Sequence, residues 1–499
     1  MPDDCPVFPG CRVTPDDPRY PTLIRGFNQR WVGHPRSVEV VGDARQIVDV
    51  VQRCVDDRLR VTVRSGGHCY EGWVSLNDGV IIDVSSLRGA GRDPETGWYF
   101  LESGCTNWDL YNQLYRQYGV TLPAGSCYSV GAGGHICGGG YGLLSRRDGL
   151  TVDWLHGVEV VCVDQDRRAR LVTVTKDSPT AAEQDLFWAH TGGGGGNFGV
   201  ITKYLFRELP RAPSEAWLAS IAWEWSDLIA HQDLFFQLLD NYGRFFESNS
   251  APGSPYSDLF SLLHLTRQAA GQVVLTVQNA GSDRRPLDDF LAAMESGVDK
   301  ARMRSVAPRV AVGWHHYIPA TTSARRMPWL EATQALNGSG ANQRGKYKSA
   351  YMKAAFPAAQ MDAIWKWLTI ENDRYPPNGQ ALLQVDSYGC RINAVAPDAT
   401  AVPQRSSILK LQYQTYWTEP EQDRANLDWI GDFYEAMYGP AGPRPDEVLD
   451  GCYVNYCDSD LVDWQHLYYK ENYPRLQRAK ATWDPHDIFN HEQSIELPT

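Results

Sequence analysis

The chain has 499 residues, more than one hydrophobic core usually organises, so we expect two domains or one domain with a large insertion. Its net charge of -13, with no offsetting run of Lys and Arg, argues against nucleic acid or anionic membrane as partners and favours a neutral or cationic small molecule. No apolar run approaches the roughly 20 residues that span a bilayer, and residues 1–4 lack the features of a secretion signal. We therefore expect a cytoplasmic protein, with secretion as the alternative.

The aromatic residues and the cysteines bear on the kind of site to expect. The 17 Trp and 25 Tyr could line a deep cavity, although they would equally serve as ordinary core. The 11 Cys are scattered without the paired spacing of metal-binding knuckles, so we expect no metal site.

The first 210 residues alternate between predicted helices and strands. A helix begins after Asp43, where apolar residues recur with helical spacing as far as Val55. The alternating segment 60–64 predicts a strand that leads directly into a glycine turn. Further strands are predicted at 80–84, 98–102 and 158–163, a helix near Thr106, a short helix at 185–190, and a glycine-rich turn at 192–199 that enters another strand.

The pattern changes after Pro210 and Pro213. Longer predicted strands alternate with helices, which favours an antiparallel sheet covered by helices. The strands include 272–278 and 408–417, and the helices 226–242, 286–294 and 358–370. Prolines at 440, 443 and 445 mark the end of this middle segment, and the tail at 453–494 carries its own strand and helix signals.

Two glycine-rich stretches, at 64–72 and 125–142, each contain a nucleophilic side chain. Glycines let backbone N–H groups approach a phosphate, while His68 or Cys127 could bond covalently to a cofactor. Neither stretch has the Gly-Lys-Ser/Thr ending of a phosphate loop or the G-x-G-x-x-G spacing of a dinucleotide fold. The combination indicates a flavin tethered at two places.

An ordered set of motifs extends over essentially the whole chain. Together these motifs resemble the berberine bridge enzyme-like branch of the vanillyl-alcohol oxidase flavoprotein family, and within it the bacterial natural-product and sugar oxidases. They are Arg64-Ser-Gly-Gly-His68, Gly-Ser-Cys127, the Gly-Gly-Gly-Tyr141-Gly turn, Lys410-Leu-Gln412, Tyr453-Val-Asn-Tyr456 and the ending from Asp484 to Ile495.

The resemblance implies an α+β fold with a two-part PCMH-type FAD-binding domain and an inserted α/β substrate domain. The FAD-binding domain would comprise residues 1–208 and 446–499, and the substrate domain residues 209–445. FAD would be bonded covalently through His68 to its 8α-methyl group and through Cys127 to C6. The implied cofactor contacts also include Arg64, Ser65, Gly66, Gly67, Gly131, Gly134, His135, Gly139, Tyr141, Gly199, Val200 and Asn490.

Oxidation of an alcohol by a flavin needs a base for the O–H proton, and Tyr456 is the candidate. A regular strand would point Tyr453 and Tyr456 to opposite faces, so the two need not share a role. The resemblance nevertheless places both at the substrate, and Tyr453 stays an alternative base. The resemblance makes Tyr141 a partner that could hydrogen-bond the phenolate, with Lys410 and Asp386 assisting the base.

Other positions would bind substrate or oxygen. Gln384 shares a strand face with Asp386, as Gln412 does with Lys410. The resemblance makes Gln384, Gln412 and Tyr70 substrate contacts, although a solvated polar strand face would explain the strand pairs equally well. By the same resemblance Val130 is an oxygen gate, where a small side chain goes with oxidase activity.

The implied function is an FAD-dependent oxidase of antibiotic biosynthesis. It would convert a hydroxyl or hemiacetal of a sugar or glycosylated natural product to a carbonyl or lactone, with O₂ reduced to H₂O₂. One alternative is oxidative cyclisation or desaturation of a polyketide or alkaloid scaffold with the same flavin. Another is a binding protein whose flavin is a relic. We expect a monomer or weak homodimer.

Overall fold

A computed structural model of the chain describes residues 9–308 and 324–498. Within these residues the chain forms three sheets with flanking helices, the α+β class expected from the sequence. The expected strands and helices of the first 210 residues are present, with bounds shifted by a few residues. None of the helices in the described part is long and apolar enough to cross a membrane.

The first sheet has four strands and a mixed arrangement. Its order is β1-β2-β4-β3, in which β2 and β3 pair parallel to β4 and β1 pairs antiparallel to β2. Because β3 ends at Arg64, the first glycine turn starts where this strand leaves the sheet. The strands are β1 (Cys11–Val13), β2 (Ser37–Val40), β3 (Val61–Arg64) and β4 (Val80–Asp83).

The second sheet has five strands and only antiparallel pairs, in the order β5-β6-β9-β7-β8. Strand β9 begins at Val200, directly after the third glycine-rich turn. The strands are β5 (Ala90–Arg92), β6 (Tyr99–Glu102), β7 (Gly157–Val163), β8 (Ala169–Thr175) and β9 (Val200–Phe206).

The third sheet has seven antiparallel strands in the order β13-β10-β12-β11-β15-β16-β14. It lies between residues 215 and 417, as the change of pattern after Pro210 predicts. The strands are β10 (Glu215–Glu224), β11 (Leu259–Thr266), β12 (Gln272–Ala280), β13 (Arg325–Pro328), β14 (Arg344–Met352), β15 (Leu382–Ser387) and β16 (Leu409–Trp417).

Helices cover these sheets and follow the local signals in the sequence. Asp43 caps α2, its side chain accepting from the Gln46 N–H, and Thr106 forms a reciprocal capping box with Asp109 at the start of α3. The first part holds α1 (Tyr20–Leu23), α2 (Ala44–Asp56), α3 (Asn107–Tyr118), α4 (Ala132–Cys137), α5 (Ser145–Asp148) and α6 (Ala181–Ala189).

The middle segment adds six helices among its described residues. The predicted helix at 226–242 is interrupted at His231, so two helices stand in its place. The six are α7 (Trp225–Ala230), α8 (Gln232–Asn249), α9 (Arg285–Met294), α10 (Trp329–Ala335), α11 (Ala358–Thr369) and α12 (Asp423–Tyr438). Short 3₁₀ helices lie at Thr151–Trp154, Gln268–Ala270, Cys390–Ala394, Pro420–Gln422 and Lys470–Asn472.

The tail returns to the first part of the chain. It forms α13 (Trp464–Tyr469) and α14 (Tyr473–Trp483), and the expected strand in the tail is absent from its described residues. The buried Lys480 of α14 donates to the carbonyls of Asn197 and Phe489, which joins the tail to the third glycine-rich turn. The tail therefore packs against the first part of the chain.

Candidate active site

A cavity of about 330 Å³ opens where the three sheets and the tail come together. The two glycine-rich stretches form one wall, strands β15 and β16 another, and the segment 453–457 the third. Of the residues singled out in the sequence, the lining includes Arg64, Ser65, Gly66, Gly67, His68, Tyr70, Cys127, Val130, Gly131, Gly134, His135, Tyr141, Gly199, Gln384, Asp386, Gln412, Tyr453, Tyr456 and Asn490.

The glycines of the first two stretches bring the two backbones against each other. A Cβ on Gly66 would lie 2.3 Å from the Gly131 nitrogen, and one on Gly131 would lie 2.2 Å from the Gly66 nitrogen. The Ser65 hydroxyl donates to the Ser103 carbonyl at 2.6 Å. Some of these glycines are therefore needed for the contact between the two loops. The sequence pattern by itself indicates only the approach of a phosphate.

Gly134 faces the cavity at the start of α4. A Cβ there would meet nothing within 4 Å, and its N–H has no acceptor among the described residues. By contrast, the N–H groups of Ala132 and Gly133 donate to the Cys105 and Ser103 carbonyls. Gly134 is thus the position in this turn where a ligand could approach the backbone closely.

His68 and Cys127 both line the cavity and are half-buried. The His68 ring stacks on Phe27 with ring centres 4.5 Å apart, and its Nε2 lies 2.8 Å from the Ser129 hydroxyl. Asn107 donates to the Cys127 carbonyl at 3.1 Å, which fixes the loop. Burial raises the pKa of the Cys127 thiol to about 11, so a neutral thiol stands beside the cavity at pH 7.

The two candidate bases lie in a turn. The Tyr456 N–H donates to the Tyr453 carbonyl at 2.9 Å, and the two rings stand 5.0 Å apart at 76°. The premise that a strand sends them to opposite faces is therefore wrong, because the turn folds both rings toward one cavity.

The hydroxyls of these tyrosines have different surroundings. Asn455 donates to the Tyr453 oxygen at 3.0 Å, whereas the Tyr456 hydroxyl has no hydrogen-bond partner among the described residues. Burial raises the pKa of Tyr453 to about 12, and burial together with the Asp386 charge raises that of Tyr456 well above its usual value. Tyr456 is therefore the phenol whose oxygen is left for a ligand.

Lys410 does not line the cavity but lies directly behind it. Its ammonium nitrogen is 3.2 Å from Asp386 Oδ2 and is fully buried. It also lies over three aromatic rings, 3.9 Å from the centre of Tyr456, 4.5 Å from Tyr141 and 5.1 Å from Tyr453. Burial lowers the pKa of Lys410 to about 8, against the opposing pull of Asp386, whose own pKa burial raises.

Tyr141 has a hydrogen-bonding role other than the one predicted. Its hydroxyl donates to the Ser387 carbonyl at 2.5 Å, so its proton is not directed at the oxygen of Tyr456 or Tyr453. The ring still forms part of the cavity wall and one face of the Lys410 site.

The strand pairs predicted to share a face do so, and they pair across two strands. Asp386 lies opposite Lys410 and Gln384 opposite Gln412 in the register of β15 and β16. Gln384 donates to Asp386 at 2.7 Å, and Gln412 donates to the Tyr70 hydroxyl at 3.2 Å. These side chains form a hydrogen-bonded polar wall.

Two residues that sequence reasoning missed extend this wall. Gln414 donates to the side-chain oxygens of Gln412 and Gln384, at 3.0 and 3.2 Å, and accepts from the Tyr416 hydroxyl at 2.7 Å. Both line the cavity. The same two-residue spacing that joins Lys410 to Gln412 continues to 414 and 416, and would have found them.

His135 is hydrogen-bonded both to the second glycine-rich stretch and to the segment 453–457. Its Nε2 accepts from the Gly125 N–H at 3.1 Å, and its carbonyl accepts from Asn455 at 3.0 Å. Burial, reinforced by Lys410, lowers its pKa to about 4, so the ring is neutral at pH 7 and carries its proton on Nδ1. Asn455, another residue missed in the sequence, thereby links His135 to Tyr453.

Several predicted cofactor contacts lie elsewhere or are otherwise engaged. Gly139 and Val200 are outside the lining; Val200 packs in the core under the first sheet. A Cβ at Gly199 would lie 2.4 Å from the Val161 carbonyl, so this glycine permits strand packing. The Arg64 guanidinium is occupied by Asp83 and the Leu23 carbonyl.

The remaining two predicted positions line the cavity. Asn490 donates to the Asp487 carbonyl at 2.6 Å, and Val130 accepts from the Asn107 N–H at 2.9 Å through its backbone.

Among the described residues, no three His, Cys, Asp or Glu side chains are grouped closely enough to hold a metal ion.

Two family models match the chain. The model described as "FAD binding domain" matches residues 35–167, and the model "Berberine and berberine like" matches residues 452–496. These segments carry His68 and Cys127 in the first case and Tyr453 and Tyr456 in the second.

Curated relatives match nearly the whole chain. An aclacinomycin-N/aclacinomycin-A oxidase of Streptomyces galilaeus is 41% identical over 515 residues, covering 97% of this chain and 89% of the relative. A hexose oxidase of Chondrus crispus is 41% identical over 526 residues, covering 97% of this chain and 94% of the relative.

Solved structures agree in fold. A glycopeptide hexose oxidase complexed with teicoplanin superposes with a TM-score of 0.89 at 36% identity, covering 99% of this chain and 100% of the other. An aclacinomycin oxidoreductase gives a TM-score of 0.88 at 38% identity, covering 98% and 100%.

Proposed function

This chain belongs to the berberine bridge enzyme-like family of FAD-binding oxidoreductases, and from that premise we propose a specific reaction. It is an FAD-dependent oxidase of bacterial secondary metabolism that converts a hydroxyl or hemiacetal of a sugar or glycosylated natural product to a carbonyl or lactone. O₂ is the electron acceptor and H₂O₂ the second product.

One observation carries this proposal. The cavity that has His68 and Cys127 on one wall has an unengaged tyrosine hydroxyl, backed by a buried lysine, on the other. A bound cofactor and a base for an alcohol proton would thus face the same space.

The residues present fit FAD. Gly134 offers an open approach and a free N–H, and two nucleophilic side chains reach the same cavity. We assign His68 to the 8α position and Cys127 to C6. When bound, FAD takes up the hydride equivalent from the substrate carbon and passes the electrons to O₂. The neutral His135 holds its Nδ1 proton as a donor in the same region.

Tyr456 is the proposed base. Its hydroxyl is left for a ligand, and the Lys410 ammonium 3.9 Å from its ring centre stabilises a phenolate there, which offsets part of the rise in pKa that burial and Asp386 cause. Tyr453 is a positioning residue, because Asn455 ties its oxygen to the His135 carbonyl. Asp386 keeps Lys410 charged inside the core and so acts on the base through the lysine.

The polar wall favours a polyhydroxylated substrate. Gln384, Gln412 and Gln414 present amide donors and acceptors in one connected network, the groups that recognise sugar hydroxyls. Tyr70, stacked on Tyr347 with ring centres 3.5 Å apart, adds a flat surface for a sugar ring. Phe260 and Leu262 supply apolar lining on the same side, suited to an aglycone.

The test is anaerobic mixing of the holoenzyme with a panel of hexoses, oligosaccharides and glycosylated polyketides, each beside its aglycone. We expect flavin bleaching with glycosides that carry a free hydroxyl or hemiacetal, and one H₂O₂ per turnover when air is admitted. Bleaching only with aglycones would favour oxidative cyclisation or desaturation. Absence of bleaching throughout the panel would favour a binding protein. Tyr456→Phe holoenzyme is the matched control, since it keeps the cavity and loses the base.

A further inference from the structure

Two thiols meet beside the cavity at a place that the proposed reaction does not use. Cys69 Sγ and Cys457 Sγ lie 4.0 Å apart, and both residues line the cavity. Among the free thiols of the described residues, no other two share a hydrogen bond. The pair joins residues 388 positions apart in the chain.

The loops that carry these thiols also carry the residues of the site. Cys69 stands between His68 and Tyr70, and Cys457 follows Tyr456. A covalent bond between the two sulfurs would connect the loop that holds the proposed flavin link to the turn that holds the proposed base.

A buried ion network holds the two loops in this relation. The Lys346 ammonium lies 2.6 Å from Glu71 and 2.7 Å from Asp458, so it bridges the segments that follow the two cysteines. Lys348 pairs with Asp458 at 2.8 Å, and all four side chains of this network are buried. These ion pairs hold the two backbone segments in place. Rotation of the two cysteine side chains is then the movement that would bring the sulfurs within bonding distance.

We infer that Cys69 and Cys457 form a peroxide-sensing dithiol, oxidised to a disulfide by the H₂O₂ that this enzyme releases into the same cavity. The inference rests on the proposed function for its source of peroxide. Cys69 sulfur attacks one peroxide oxygen, the O–O bond breaks, and water leaves with formation of a sulfenic acid. Cys457 sulfur then attacks that sulfur, the S–O bond breaks, and a second water leaves. Two thiols and one H₂O₂ thus give one disulfide and two waters.

The electrostatics of the pair suit these two roles. A hydrogen bond from Cys457 lowers the pKa of Cys69, while burial raises the pKa of Cys457 well above its usual value. Cys69 is therefore the thiolate that attacks the peroxide, and Cys457, still protonated at that stage, is the neighbouring sulfur left to displace the sulfenic oxygen.

The experiment starts with dithiothreitol-reduced, desalted holoenzyme. One sample turns over substrate in air, and a second receives two equivalents of H₂O₂ without substrate. Both are then alkylated, digested without reductant and analysed by mass spectrometry. We expect a peptide pair joined through Cys69 and Cys457 in both samples, suppressed by catalase during turnover and reversed by dithiothreitol. The oxidised enzyme should also melt at a higher temperature than the reduced enzyme.

Three variants control the result. Cys69→Ser and Cys457→Ser should each abolish the joined peptides and the melting shift, whereas Cys11→Ser, which removes a thiol far along the first sheet, should keep both. Full alkylation of Cys69 and Cys457 after peroxide treatment would overturn the inference, as would oxidation of Cys69 beyond sulfenic acid without a bond to Cys457. A disulfide with added peroxide but none during turnover would support the dithiol and count against the oxidase.

Discussion

The ammonium nitrogen of Lys410 lies 3.9 Å from the centre of the Tyr456 ring, inside the protein core. Asp386 completes the arrangement at 3.2 Å from the same nitrogen. A buried cation beside a phenol lowers the free energy of the phenolate, and the effect is strong where water does not screen it. The contact gives a chemical use to a lysine that does not itself reach the cavity.

Replacing Tyr456 by Phe should lower kcat by about 10²-fold to 10⁴-fold, the usual contribution of a positioned base, with flavin content unchanged. Tyr453→Phe is the matched control. It should lower kcat by less than about tenfold, because Asn455 already engages that oxygen and the change costs mainly one hydrogen bond. Steady-state oxygen uptake measures both. A larger loss in Tyr453→Phe would transfer the role of base to Tyr453.

The Lys410 contact also predicts a pH dependence. Burial lowers the pKa of Lys410 to about 8, so its positive charge is present below that pH and is lost as pH rises through it. We expect kcat/KM of the wild type to fall above pH 8. Lys410→Met/Asp386→Asn, which removes the lysine without leaving an unpaired buried carboxylate, should be slower and lack this alkaline limb. Retention of the same limb in the double variant would assign it to another group.

Gln414 should govern substrate affinity more than the chemical step. Gln414→Leu removes the amide that joins Gln412 to Gln384, so we expect KM to rise about tenfold, as for the loss of one buried hydrogen-bonded group. The kcat value should change less than threefold. Gln232→Leu, at the exposed start of α8, is the matched control and should leave both values unchanged. A loss confined to kcat would contradict a role in binding.

Much of this site follows from local sequence. The strand β3 and the turn at His68 are encoded by alternation and glycines, and β16 places Lys410 and Gln412 on one face through its period of two. The turn that brings Tyr453 to Tyr456 was not predicted, because aromatic residues favour strands and the turn is set by its packing against Gly138 and Ser349. The close contact of Gly66 with Gly131 depends on how two distant loops pack together, and the periodicity of the sequence carries no information about that packing.

The buried His190 predicts how stability depends on pH. Burial lowers its pKa to about 4 from 6.5, so below pH 6.5 the unfolded chain binds a proton that the folded chain does not. Stability should therefore fall as pH decreases from 6.5 toward 4, by about 1.4 kcal/mol per pH unit for this residue. His190→Asn, which can still donate to the Leu186 carbonyl, should show a shallower fall in urea unfolding between pH 6.5 and 5. Equal slopes would contradict the assignment.

The covalent attachment of FAD is the central claim, and flavin peptide mapping tests it most directly. The purified protein is denatured, digested and analysed by absorbance and mass spectrometry, beside His68→Ala and Cys127→Ala. We predict one species in the wild type that contains FAD together with the peptides of His68 and Cys127. Each single variant should retain FAD on the remaining peptide, and the double variant should release it. Release of FAD from the denatured wild type would contradict the account.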